Sequence, residues 1–241
     1  TSQFDATLVY AVCYTSAYGN ASGSWVDTTL RVTVSMVTAL HFGTGVPYPG
    51  PRMIYPKNVI DLYHVVPQYV GTKIFYYGDL PVNKHISLVD ATLNQNTPCI
   101  NGTVAAAPMD SLHSGSINSD IYAKFGAFPT AQLSFDSTFA FCYAEQDGTQ
   151  SDSTWRDSYI RLRLTKLRGI IAHGVTHLTT GQIAKVNYMV ITVQGSIPAS
   201  KWISFVEQGF NSNQPCADPA EASHTADSGH SGALQMNSGK N

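Results

Sequence analysis

The chain has 241 residues, enough for one large domain or two ordinary ones. Charged residues make up 12 % of it and the formal net charge is -2, so it lacks the clustered Lys and Arg that neutralise nucleic-acid phosphates. No apolar stretch reaches the roughly 18 to 20 residues of a membrane helix. Its polar surface must rest on Ser, Thr, Asn and Gln, which repel their own copies weakly.

The chain opens Thr1-Ser2-Gln3, and any leader segment is expected outside it. Leu8 to Tyr14 is the first strand candidate, rich in β-branched and aromatic residues. Ala17-Tyr18-Gly19-Asn20 is a turn signal, and Asn20-Ala21-Ser22 fits the N-glycosylation acceptor pattern. Leu30, Val32 and Val34 alternate with polar residues in the period-two pattern of a half-buried strand. Asp27 and Arg31, four residues apart along it and beside Trp25, are expected to form a structural ion pair.

Val46-Pro47-Tyr48-Pro49-Gly50-Pro51 blocks helix and interior strand alike and reads as a surface loop or arm. Val70 to Tyr77 and Ile86 to Val89 are further strands, with a turn at Gly78-Asp79. Asn94-Gln95-Asn96-Thr97-Pro98-Cys99 follows, then a second glycosylation pattern at Asn101-Gly102-Thr103.

Phe139 to Tyr143 is the next strand, followed by a turn at Gln146-Asp147-Gly148. Trp155, Asp157 and Arg161 then repeat the earlier Trp, Asp and Arg, and Ile160, Leu162 and Leu164 repeat the apolar alternation. His173 and His177 have metal-ligand spacing but lack the Glu of a His-Glu-x-x-His site, which favours a chance pair. Val186 to Val193 and Ile203 to Val206 complete the strand candidates. Asn211-Ser212-Asn213-Gln214-Pro215-Cys216 leads to the terminal segment His230, Ser231, Gly232, Ala233, Leu234 and Gln235.

These similarities form an internal repeat. Cys99 and Cys216 stand 117 residues apart, and the same offset relates Gly78, Pro81, Lys84 and Ile86 to Gly195, Pro198, Lys201 and Ile203. It also relates Asp110-Ser111-Leu112-His113-Ser114-Gly115 to Asp227-Ser228-Gly229-His230-Ser231-Gly232. Cys13 and Cys142 are 129 apart, and Trp25, Asp27 and Arg31 precede Trp155, Asp157 and Arg161 by 130. Two copies are therefore expected, 1–125 and 126–241, with the extra residues of copy one between Ala39 and Lys73. Many short strands and no long capped helix point to an all-β chain of two tandem antiparallel β-sandwiches related by duplication.

Four cysteines allow three pairings. One early and one late cysteine in each copy favour Cys13 with Cys99 and Cys142 with Cys216. Disulfides and sequons point to an extracellular or cell-surface protein. No Cys-x-x-Cys pair, nucleophile–base pair or carboxylate pair emerges, so neither metal, cofactor nor enzymatic activity is expected. His113-Ser114 and His230-Ser231 are no exception, because adjacent extended residues point to opposite sides.

The late His-Ser-Gly segment of copy one runs directly into copy two. If its counterpart makes the same contact, the segment from His230 to Gln235 adds a strand to another subunit and the contact repeats head to tail. Equally, each tail can fold back on its own domain.

In architecture, paired cysteines and tail placement the chain resembles tandem β-sandwich subunits of extracellular surface fibres, including those built by donor-strand contacts. The resemblance implies a self-assembling structural polymer subunit. A secreted carbohydrate-binding or adhesive module, suggested by the tyrosines, is the alternative, with glycans as partner.

Overall fold

The computed structural model describes residues 3–42, 52–54, 65–177 and 181–238. Among the described residues strands hold 39 % and helix 12 %, so the described structure is mostly β. The Pro-Tyr segment from Val46 to Pro51 lies outside the described residues.

The strands in chain order are β1 (Val9–Tyr14), β2 (Val26–Thr33), β3 (Val37–Phe42), β4 (Arg52–Ile54), β5 (Val65–Pro67), β6 (Val70–Gly78), β7 (His85–Asp90) and β8 (Ile117–Asn118). They continue with β9 (Phe125–Pro129), β10 (Thr138–Ala144), β11 (Arg156–Thr165), β12 (Leu167–Ala172), β13 (Val175–His177), β14 (Ile191–Gly195), β15 (Trp202–Ile203) and β16 (Leu234–Gln235). Single helical turns α1 (Leu93–Asn96) and α2 (Gly102–Ala105) follow β7, and α3 (Phe210–Asn213) and α4 (Pro219–Ala222) follow β15.

One two-layer module occupies the middle of the chain. Its five-stranded sheet has the order β5-β11-β10-β7-β8, and its four-stranded sheet the order β4-β3-β6-β9. Leu40, Ile74, Tyr76 and Phe128 from the second sheet pack against Ile86, Leu88, Phe139, Phe141, Tyr143, Ile160 and Leu162 from the first in one buried cluster. Burying each such side chain contributes about 1.5 to 3 kcal/mol.

The opposite face of the five-stranded sheet is covered as well. Ala140, Cys142 and Ala144 alternate with the core aromatics of β10 and meet Val89, Cys99, Ala105 and Trp155 in a second buried cluster. A strand buried on both faces needs apolar residues at every position, which accounts for the unbroken run Phe139-Ala140-Phe141-Cys142-Tyr143-Ala144.

Two expectations change here. The five-stranded sheet takes β7 and β8 from before residue 125 and β10 and β11 from after it, so the boundary between 1–125 and 126–241 cuts through a sheet rather than between domains. The disulfide joins Cys99 to Cys142, not Cys13 to Cys99 or Cys142 to Cys216. Pairing β7 with β10 brings Ser87 opposite Cys142, and the chain after β7 returns over that face to deliver Cys99. Cys13 and Cys216 are free and exposed.

Smaller differences follow from the same pairing. Residues 186–190 are not strand, because β12 pairs with β14 only from Ile191 onward. Ile117 and Asn118 pair as β8 with β7, within their own half of the sequence.

Candidate functional site

The N-terminal hairpin β1–β2 repeats β10–β11 in detail. Cys13 lies opposite Asp27 and Ala11 opposite Arg31, with a bulge between; Cys142 lies opposite Asp157 and Ala140 opposite Arg161, with the same bulge. Thr28 Oγ1 donates to the Val12 carbonyl at 2.6 Å, and Ser158 Oγ to the Phe141 carbonyl at 2.7 Å. The indole N–H of Trp25 donates to the Asn20 carbonyl and that of Trp155 to the Thr149 carbonyl.

Thr29 and Tyr159 both take positive φ, 63° and 60°, uncommon for residues with a side chain. In each hairpin the Asp two residues earlier accepts the kinked amide at 2.7 Å. The same Asp binds the Arg four residues on through two hydrogen bonds, Asp27 with Arg31 and Asp157 with Arg161. The Arg31 guanidinium, followed by the Thr29 amide, lowers the Asp27 carboxyl to about 2. Each ion pair therefore locks a kink, half-exposed in the first hairpin and mostly buried in the second.

The two hairpins differ in what covers them. Phe141, Trp155 and Ile160 are 0 %, 1 % and 0 % exposed, whereas their counterparts Val12, Trp25 and Leu30 are 37 %, 52 % and 61 % exposed. Among the described residues β1 and β2 pair only with each other. The N-terminal hairpin thus carries the residues of a core without the sheet that would bury them.

The C-terminal segment shares several pairings with the central module. β12 pairs with β14 with Leu167 opposite Gly195 and Gly169 opposite Gln194, the bulged register that sets Val37 opposite Gly78 and Ala39 opposite Tyr77 in β3–β6. Trp202 and Ile203 of β15 face Gln235 and Leu234 of β16, as His85 and Ile86 face Asn118 and Ile117. The bridge between Val206 and His230 matches that between Val89 and His113. Asn211, Ser212 and Asn213 run left-handed at 46°, 56° and 66°, as Asn94, Gln95 and Asn96 do at 47°, 56° and 65°.

In the central module the other edge of β7 carries β10. Among the described residues the corresponding edge, Trp202 to Glu207, carries no strand. Beside it lies an open apolar groove of about 260 Å³ lined by Met189, Val190, Ile191, Ile203, Phe205 and Leu234. Ile74, Ile86 and Leu88, the counterparts of Ile191, Ile203 and Phe205, are fully buried in the cluster that also holds Phe139, Phe141 and Ile160 of β10 and β11.

The segment from His230 to Gln235 docks within its own chain. Leu234 and Gln235 pair with β15, and Ser231 Oγ accepts the Phe205 amide at 2.8 Å, as Ser114 Oγ accepts that of Leu88. In this single chain the segment takes the fold-back alternative: Leu234 and Gln235 pair with β15 and Ser231 binds Phe205, so the open edge of 202–207 is the opposite one.

Other candidate positions have local roles. Asn101 Oδ1 caps α2 by accepting the Thr103 amide at 3.0 Å, and Asp218 caps α4 through the Ala220 amide, so an Asx cap accounts for the residue type at both positions. Asn20 is exposed in the β1–β2 connection and accepts the Ser22 amide. His173 and Gly174, both with positive φ, form the two-residue turn between β12 and β13, which explains the kink that separates His173 from His177.

A cluster unforeseen in the sequence joins His224, Asp227 and His230, whose ligand-type atoms lie within 4.8 Å of one another. His230 is held by Asp227 at 2.8 Å and Glu221 at 3.1 Å and stacks on Phe210. The Asp227 hydrogen bond, more than the opposing desolvation, raises the His230 pKa above the ordinary imidazole value. Spacing of i, i+3 and i+6 in a loop gave no periodic signal for it.

No protein-family model, curated protein or solved structure matches the chain. No helix among the described residues is long and apolar enough to cross a membrane.

Proposed function

We propose that the protein is a structural subunit of an extracellular filament or surface layer, built from duplicated β-sandwich modules and joined head to tail by strand complementation. The hairpin β1–β2 of one copy enters the open edge of the C-terminal segment of the next and completes a module like the central one. Neither catalysis nor a cofactor has a role in this reading.

The observation that carries it is the pair of hairpins with one register and opposite burial. Transferring the β10–β7 pairing to the joint sets Tyr10 opposite Glu207, Ala11 opposite Val206, Val12 opposite Phe205, Cys13 opposite Ser204 and Tyr14 opposite Ile203, in the pattern of Phe139 to Tyr143 against Asp90 to Ile86. Tyr10, Val12, Tyr14, Leu30 and Val32 then take the places of Phe139, Phe141, Tyr143, Ile160 and Leu162 in the core. Backbone pairing supplies affinity and alternate side chains supply register.

Donor and acceptor are different surfaces, so each joint leaves one of each unused and growth is open-ended. The Cys99–Cys142 disulfide suits an oxidising compartment outside the cell, where the exposed Asn20 sequon is available to a glycan.

Electron microscopy of the purified chain across a concentration series tests this reading. Fibres with one module repeat per subunit joint are expected above a threshold concentration. A strictly monomeric chain at millimolar concentration would count against it.

A further inference from the structure

We propose that each head-to-tail joint is sealed by a disulfide between Cys13 of one copy and Cys216 of the next. The inference rests on the assembly reading above and adds a covalent, redox-controlled bond to it.

Its template is the bond already in the protein. Cys99 lies on the 3-10 turn Pro98–Ile100 and Cys142 on β10 opposite Asp157. Cys216 lies on the matching turn Pro215–Ala217 and Cys13 on β1 opposite Asp27. Both are unpaired and exposed. Around the Cys99–Cys142 bond, Val89 and Ala105 come from one side and Ala140 and Trp155 from the other. The acceptor supplies the corresponding Val206 and Ala222, and the donor supplies Ala11 and Trp25. Each half of the joint therefore brings half of the apolar setting and one of the two sulfurs.

The partner assigned to each cysteine is a second copy, because the two segments leave the central module at different points, and the label test below separates it from closure within one chain. Thr33 Oγ1 lies 3.1 Å from the Tyr159 hydroxyl, and the Met36 amide donates to the Tyr143 hydroxyl at 3.0 Å, so the hairpin is attached near the start of β11. The C-terminal segment begins at Leu167, directly after β11 ends at Thr165. Tyr159 and Thr165 stand about 20 Å apart along an extended strand. The link from Val34 to Met36 spans only about 10 Å.

Bond formation removes two protons and two electrons. A low-molecular-weight disulfide such as oxidised glutathione accepts them: one cysteine thiolate displaces a thiol from it to form a mixed disulfide, and the facing thiolate displaces the second thiol. The reagent leaves as two thiols.

The test uses equal amounts of the full chain in natural and ¹⁵N-labelled form, mixed as monomers, assembled, oxidised with oxidised glutathione and digested with trypsin. Peptides 1–31 and 202–240 are expected as one linked species, with mixed labels as frequent as matched ones. On a denaturing gel the oxidised fibres give a ladder that collapses with dithiothreitol. C13S is expected to abolish ladder and linked peptide while native fibres persist. Linked peptides with matched labels alone would mean closure within one chain and overturn the proposal. Fibres whose Cys13 and Cys216 stay open to alkylation after oxidation would overturn it and leave the assembly reading standing. Neither fibres nor linked peptide would defeat both.

Discussion

Replacing Val12 and Leu30 together by Asp is expected to leave the subunit folded and to weaken assembly about a thousandfold or more. Both side chains lie on the hairpin surface, 37 % and 61 % exposed, so in the free subunit each new carboxylate sits in water. Surface changes of this kind shift stability by about 0.5 kcal/mol or less. At a joint the two positions take the places of Phe141 and Ile160, neither of which has any exposure. The apolar cluster around those residues offers no cation, and an unpaired buried charge costs several kcal/mol. Since about 1.4 kcal/mol is tenfold in affinity, the threshold concentration for fibres should rise beyond the accessible range. Sedimentation and light scattering measure that threshold directly. An unchanged threshold would mean that the apolar face of the hairpin is not the contact.

The second large effect separates the two kinds of cysteine. Cys99→Ser or Cys142→Ser is expected to destabilise the central module by about 4 kcal/mol, the chain-entropy value for a closed loop of this size; the sequence separation is 43 residues. Loss of the bond also leaves a hydroxyl among Val89, Ala105, Ala140 and Trp155. Against a typical total of about 5 to 15 kcal/mol, that brings the module near its unfolding limit. Cys13→Ser and Cys216→Ser remove exposed thiols and should move the urea midpoint of the monomer very little. Equal destabilisation by all four substitutions in dilute monomer would contradict the pairing described here.

Much of this was legible in the sequence. The alternation of Ile160, Leu162 and Leu164 marked a core-facing strand. The repeated Asn-x-Asn-x-Pro-Cys marked a backbone requirement, since three successive left-handed residues favour Asn over most other types. What the repeat could not supply was its phase. An offset of 117 to 130 residues states that two stretches correspond, not where a folded module begins, and Cys13 with Cys99 fits the same offsets as Cys99 with Cys142.

The decision came from long-range pairing. β7 and β10 are adjacent in the sheet although β8, β9 and four short helical turns intervene in the chain. Local pattern carries no record of such a choice. The unbroken apolar run of β10 was one available hint, because only a strand covered on both faces needs it. The matching run Tyr10-Ala11-Val12-Cys13-Tyr14 lies on a hairpin that pairs with no third strand among the described residues, so the same pattern becomes interpretable only once the neighbours are known. Val12, Tyr14, Trp25 and Leu30 face outward where their counterparts in β10–β11 are buried.

Hydrogen exchange below and above the assembly threshold distinguishes a complemented hairpin from a free one. A lone two-stranded hairpin is marginal in water, so amides of residues 9–14 should exchange quickly in the monomer, as should those on the open edge at 202–207. Both segments are predicted to become slow together on assembly, approaching the protection of β7 and β10. Fibres in which both segments still exchange as fast as in the monomer would contradict the account.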